Sequence, residues 1–198
     1  MKRILTITFL NFFVSGGITL IVPLLLLERE IDLIEISLVL SVLPLVFFIV
    51  RLILAAFADF KGWHRLYLLI NWPATFFSTL IYAIANSTSL FLFGKMIEAI
   101  KESSYLGVNR TAIFSLSPKT KEKEATRNSA VLALATATGS AVAGIGISYF
   151  GFSVAISLFL FASIIIGIPA ALLFRTPKKT ETKACKVKNL LNPVNRGR

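Results

Sequence analysis

From Ile4 to Leu27 the chain runs through 24 residues without one charged side chain. At about 1.5 Å per helical residue, such a run spans the roughly 30 Å hydrocarbon core of a bilayer. Five more runs of similar character follow: about Ile34–Ala58, Leu66–Ala85, Leu90–Leu116, Ser129–Phe150 and Ser153–Phe174. A soluble domain interrupts its apolar residues every few positions, and this chain, 56% hydrophobic with a mean hydropathy of +0.78, does not. Within lipid every backbone group must be satisfied inside its own segment, and the ten-residue alternation of a barrel strand is absent. The expected fold is an all-α integral membrane bundle of six transmembrane helices.

The net charge of +11 does not point to nucleic acid, because of where the charges fall. Sixteen Lys or Arg residues lie at the N-terminus, after the second run, after the fourth run and in residues 175–198. The connections on the other side hold one, Arg29. Basic residues stay on the cytoplasmic side, so both termini are expected there, in a multi-pass protein of the plasma membrane. Met1-Lys2-Arg3 opens like a signal peptide, but the run after it is long and has no small-residue cleavage site, so it reads as an uncleaved first helix. The lone Cys185 falls in the basic tail and has no disulfide partner in the chain. The sequon-like Asn86-Ser-Thr88 sits in too short an outer turn to be reached.

The fourth run is the exception to the apolar rule. It carries Lys95, Glu98, Lys101 and Glu102, and an ionisable residue at membrane depth needs a polar cavity or a partner. At about 100° per residue, Lys95, Glu98, Glu102, Tyr105 and Asn109 share roughly 80° of arc, with Lys101 at the border. Glu98 and Glu102, one turn apart, are expected to stack near mid-membrane. Two stacked carboxylates repel, which makes the pair a candidate place to hold a proton. Two readings stay open: a substrate or proton pathway, to which Asn11 of the first run would add a polar group, or a static ion-pair cluster that fixes helix packing. Arg110 points away from the stripe, Arg51 can snorkel, and Glu35 lies at the wet outer end of the second run. The fifth run is rich in small residues. Ala135, Gly139 and Ala143, with Gly144 beside them, allow another helix to come close.

The turn after the second run reads Ala55-Ala-Phe-Ala-Asp59-Phe-Lys61-Gly62-Trp-His64-Arg65. It resembles the signature between helices two and three of the major facilitator superfamily, G-x-x-x-D-R/K-x-G-R/K-R/K. Asp59 and Gly62 match; Lys61 and Arg65 supply basic charge one place from the usual positions; Ala55, Phe60 and Trp63 depart. Lys95, Glu98 and Ala99 resemble the family's fourth-helix signature. Gly139 and Ala143-Gly144 resemble the fifth, without its proline. The resemblance covers about Ile4–Phe174 and implies two inverted three-helix repeats, N-in and C-in. It also implies a cavity lined by helices one and four, helices two and five packed on a second half, and helices three and six facing lipid. Asp59, Lys61, Gly62 and Arg65 would form its gating loop.

Residues 1–174 are therefore expected to be the six-helix transmembrane half of such a transporter, and 175–198 a basic cytoplasmic tail or truncated central linker. The expected function is secondary active transport of a small polar solute by alternating access, with proton coupling an option. The alternatives are a homodimeric half-size transporter, or a non-transporting scaffold or remnant. The expected partners are the bilayer, the solute, H+ where coupled, and a second six-helix half or a second copy. No cofactor, metal or nucleic acid is expected. An enzyme is disfavoured, since His64 is the only histidine and no serine lies in a G-x-S-x-G setting.

Overall fold

A computed structural model of the chain describes residues 2–61, 67–116 and 120–173. The described residues are helical throughout apart from short connections, with no strand among them. The elements are α1 (Lys2–Glu28), α2 (Leu33–Lys61), a π-helical turn (Tyr67–Asn71) running into α3 (Trp72–Ile84), α4 (Thr88–Leu116) and α5 (Lys121–Leu173). Among the described residues, three helices are long and apolar enough to cross a membrane: Ile4–Glu28, Leu33–Leu54 and Glu122–Ile166. α4 is long enough, at 29 residues, but its charges set it apart from the other three.

The 53-residue α5 is about twice what a bilayer needs, and it is not straight. Gly151 takes φ 79° and ψ 172°, a conformation that side-chain-bearing residues rarely adopt. It divides α5 into limbs 121–150 and 152–173, at the place where the sequence reads a connection between its fifth and sixth runs. The other expected connection, between the fourth and fifth runs, differs more. Residues 121–127, expected in a loop, already belong to α5. Its first turn carries Glu122 and Glu124, acids that favour a helix N-terminus, and the rest of the segment is made of good helix formers.

α1 is the most enclosed helix. Val14, Ile18, Ile21, Val22, Leu25 and Leu26 pack with Ala143, Ala155, Ile156 and Phe159 of α5 and with Tyr82 and Phe91. α1 and α5 cross closely, because glycines face each other there. A side-chain carbon on Gly16 would run into the Thr136 backbone, and one on Gly139 into the Phe13 carbonyl. Ser140 Oγ donates to the Gly16 carbonyl at 2.8 Å across the same contact. The fifth run's small residues therefore seat α1 of this same chain. α2 packs mainly on α4 and leaves Leu45, Phe48, Leu52 and Ile53 exposed. α3 packs on both α4 and α5, and Trp72 Nε1 donates to the Ser163 carbonyl at 3.0 Å.

Candidate functional site

α4 brings its charges inside the bundle, where they meet two different neighbours. Lys95 Nζ lies 2.8 Å from Glu98 Oε2, and the two side chains are 4% and 1% exposed. The spacing of three residues places both on one helical face. Tyr82 of α3 donates its hydroxyl to the same Glu98 Oε2 at 2.7 Å, and its ring faces the Lys95 ammonium at 5.7 Å. One carboxylate oxygen thus collects a cation from its own helix and a phenol from the next. The other, Glu98 Oε1, is buried without a hydrogen-bond partner among the described residues. Lys101, 2% exposed, turns instead to α1 and donates to Ser15 Oγ at 2.7 Å.

A second polar knot lies further along α4. Tyr105 is hydrogen-bonded to Thr8 of α1, and Thr8 Oγ1 is 2.8 Å from Asn128 Oδ1 of α5. The Tyr105 ring also packs edge-on against Phe12, with centroids 5.1 Å apart. α4 is therefore joined to α3 through Glu98, to α1 through Lys101, and to α1 and α5 through Tyr105. A buried ion pair adds little net stability over an apolar pair, because desolvation offsets the attraction, but removing one partner is costly. Such a network fixes the relative rotation of four helices and holds ionisable groups away from lipid.

The sequence-derived stripe is only partly kept together. Lys95, Glu98 and Lys101 are buried; Tyr105 is buried; Glu102 is half-buried. Glu98 Oε2 is taken by Lys95 and Tyr82. Asn109 lies on α4 and its side chain is outside the described residues, as is that of Arg110. Asn11 is buried on α1, 2% exposed. Asp59 and Lys61 close α2 with side chains outside the described residues, and Gly62, His64 and Arg65 lie outside them altogether. Ala135, Gly139 and Ala143 are buried and Gly144 is half-buried. Arg51 is half-buried, with its guanidinium 5.5 Å from the Phe47 ring, and Glu35 is exposed and accepts a hydrogen bond from Thr88.

Sequence reading missed the polar face of α3. Asn71, Thr75, Ser78, Thr79 and Tyr82 are all buried. Their spacing of 0, 4, 7, 8 and 11 is one helical face, and it was readable; the absence of charge in that run drew attention away from it. Most of these hydroxyls cap carbonyls of their own helix, as Thr75 does to Asn71 and Thr79 to Thr75, each at 2.8 Å. Asn71 reaches across, donating Nδ2 to the Lys101 carbonyl at 2.9 Å. The π-helical turn that presents Asn71 sits just before Pro73, which has no N–H to give and is tolerated at a helix start. α3 is consequently two-faced, with Phe77 and Ile84 exposed on its other side.

Gly94 sets how close Tyr82 comes. A side-chain carbon there would lie 2.5 Å from Tyr82 Cε1. Gly94→Ala should push the ring off α4 and weaken its bond to Glu98, lowering stability by about 1–3 kcal/mol. Thermal unfolding in detergent measures this, and an unchanged transition would mean that the ring has room to move.

Long apolar helices tied together by a buried charge network suit a membrane-embedded helical protein. The chain belongs to the major facilitator superfamily: the family model described as Major Facilitator Superfamily matches residues 4–192. It is a membrane-embedded transport protein of that family. No curated protein matches the chain.

Proposed function

We propose that the chain acts as the N-terminal half of a secondary active transporter, moving a small polar solute by alternating access. The observation that carries this reading is the α4 network: Lys95, Glu98 and Lys101 held at 1–3% exposure and bonded to α3 and α1. Charges are placed at such depth where a pathway uses them. The half-buried Glu102 and the buried Asn11 extend the same path, and Tyr105 and Asn109 continue it along α4. Both termini lie in the cytoplasm of a plasma membrane on this reading, and Asp59, Lys61, Gly62 and Arg65 form the cytoplasmic gating loop. The second wall of the cavity comes from another six-helix half or from a second copy of this chain. Proton coupling would run through Glu98 and Glu102.

The test is uptake of radiolabelled small polar solutes into proteoliposomes holding this chain with a co-expressed second half, or the chain alone as a dimer. Glu102→Gln, and the double variant Lys95→Met/Glu98→Gln that removes the buried pair together, should each lower uptake by about tenfold or more while the protein stays folded. Unchanged uptake in both variants removes the stripe from the mechanism.

A further inference from the structure

A cavity of about 590 Å³ opens where the C-terminal ends of α1 and α3 meet the Gly151 break of α5. None of the residues of the α4 network lines it, and neither α2 nor α4 contributes to its wall. Around it the bundle shows apolar side chains to lipid: Ile84 on α3, and Leu158 and Phe161 on the second limb of α5. Tyr149 and Phe150 are 79% and 64% exposed beside the break, the placement of an aromatic belt at a membrane–water boundary. The cavity thus opens sideways at an interface, where lipid headgroups lie.

Its polar groups come in opposite signs. Glu28 and Arg29 line it together with Ser153, Ser157, Phe150 and Phe152. Arg29 Nη1 is bonded to the Ala85 carbonyl and to Asn86 Oδ1, and the guanidinium faces Phe91. Those contacts fix the guanidinium in place and leave its Nη2 and Nε hydrogens free to bind an anion. Glu28 is exposed and is the adjacent residue in the chain. Ser157 donates to the Ser153 carbonyl at 2.7 Å and keeps its lone pairs for an N–H donor.

We propose that this cavity binds the headgroup of a zwitterionic phospholipid, its phosphate on Arg29 and its ammonium on Glu28. The two phenylalanine rings add a face for the cationic end. Glu30 and Asp32 follow in the same connection, so the neighbourhood repels a headgroup that is only anionic. The wall residues Leu25 and Ile156 give the start of the acyl chains an apolar bed. A free phosphoethanolamine-like solute has the same polar chemistry but leaves that bed bare.

Native mass spectrometry of the full chain in mild detergent, titrated with dioleoyl phosphatidylethanolamine or dioleoyl phosphatidylglycerol, tests the assignment. Phosphatidylethanolamine should bind about tenfold more tightly, the size expected of one charge-assisted contact. Glu28→Gln, an exposed change that leaves the fold alone, should erase that preference. Ser157→Trp, which fills the cavity, should weaken phosphatidylethanolamine by about tenfold. Equal affinity for the two lipids, or an unchanged preference in Glu28→Gln, overturns the proposal. A further arm adds soluble glycerophosphoethanolamine: displacement only at a large excess supports the lipid, and displacement at equal concentration assigns the cavity to a free solute and overturns the lipid reading.

Discussion

Gly139→Val should be among the most damaging single substitutions in the chain. At that position the α5 backbone lies against the Phe13 carbonyl of α1, and any side-chain carbon would occupy the same space as backbone atoms. A backbone cannot rotate away as a side chain does, so the helices must move apart. Separation would break the Ser140–Gly16 hydrogen bond and loosen the packing of Ile18, Ile21 and Phe159. In lipid, helix association depends on such close packing, since apolar surface gains little by leaving one apolar medium for another. The expected loss is about 3 kcal/mol, the upper range for forcing volume into a packed core. Gly144→Ala is the control on the same helix: there the nearest atom to the added carbon is Leu20 Cδ2 at 3.6 Å, an ordinary contact. Thermal unfolding in detergent should show a large downward shift for Gly139→Val and almost none for Gly144→Ala. Equal shifts would mean that the crossing has slack that the contacts at Gly16 and Gly139 do not suggest.

That contrast shows what the sequence could and could not tell. The small-residue stripe on the fifth run is plain in the letters, and it says that something comes close. It does not say what, because a glycine advertises space and no partner. The structure puts Phe13 and Gly17 of α1 against Gly139 of the stripe. The long apolar runs were legible because hydrophobic length is a local property. The membrane-embedded helical character followed from it directly. The helical start of α5 at Lys121 was less legible, since a charged segment beside a membrane reads as loop by composition even when its residues favour a helix.

The candidate site divides along the same line. That Lys95, Glu98 and Lys101 must be satisfied was readable from their depth. The identity of their partners was not. Tyr82 and Ser15 lie 16 and 86 residues from the groups they bind, and each is unremarkable in its own run. The choice of Lys95 and Tyr82 for the same Glu98 oxygen depends on Gly94 letting the ring approach, a coupling of three positions that no single-residue property announces.

The second large effect separates a pathway from a strut. Lys95→Met removes the hydrogen-bonded cation from a carboxylate that is 1% exposed and leaves its charge with the Tyr82 hydroxyl and the more distant field of Lys101. Breaking a buried pair from one side costs about 3–5 kcal/mol, far more than the intact pair contributes, because the remaining charge keeps its desolvation without its attraction. The double variant Lys95→Met/Glu98→Gln removes both charges, keeps the shapes, and lets the amide accept from Tyr82. It should regain most of the stability lost by Lys95→Met, a positive coupling that a double-mutant cycle of unfolding midpoints measures directly. If the pair serves only to hold α3 on α4, transport in proteoliposomes should recover with stability. If it lies on the solute or proton path, the double variant should be as stable as the parent and still lose about tenfold or more of its uptake. Recovery of both would reduce Lys95 and Glu98 to packing elements and leave Glu102 and Lys101 as the ionisable groups that a pathway along α4 could use.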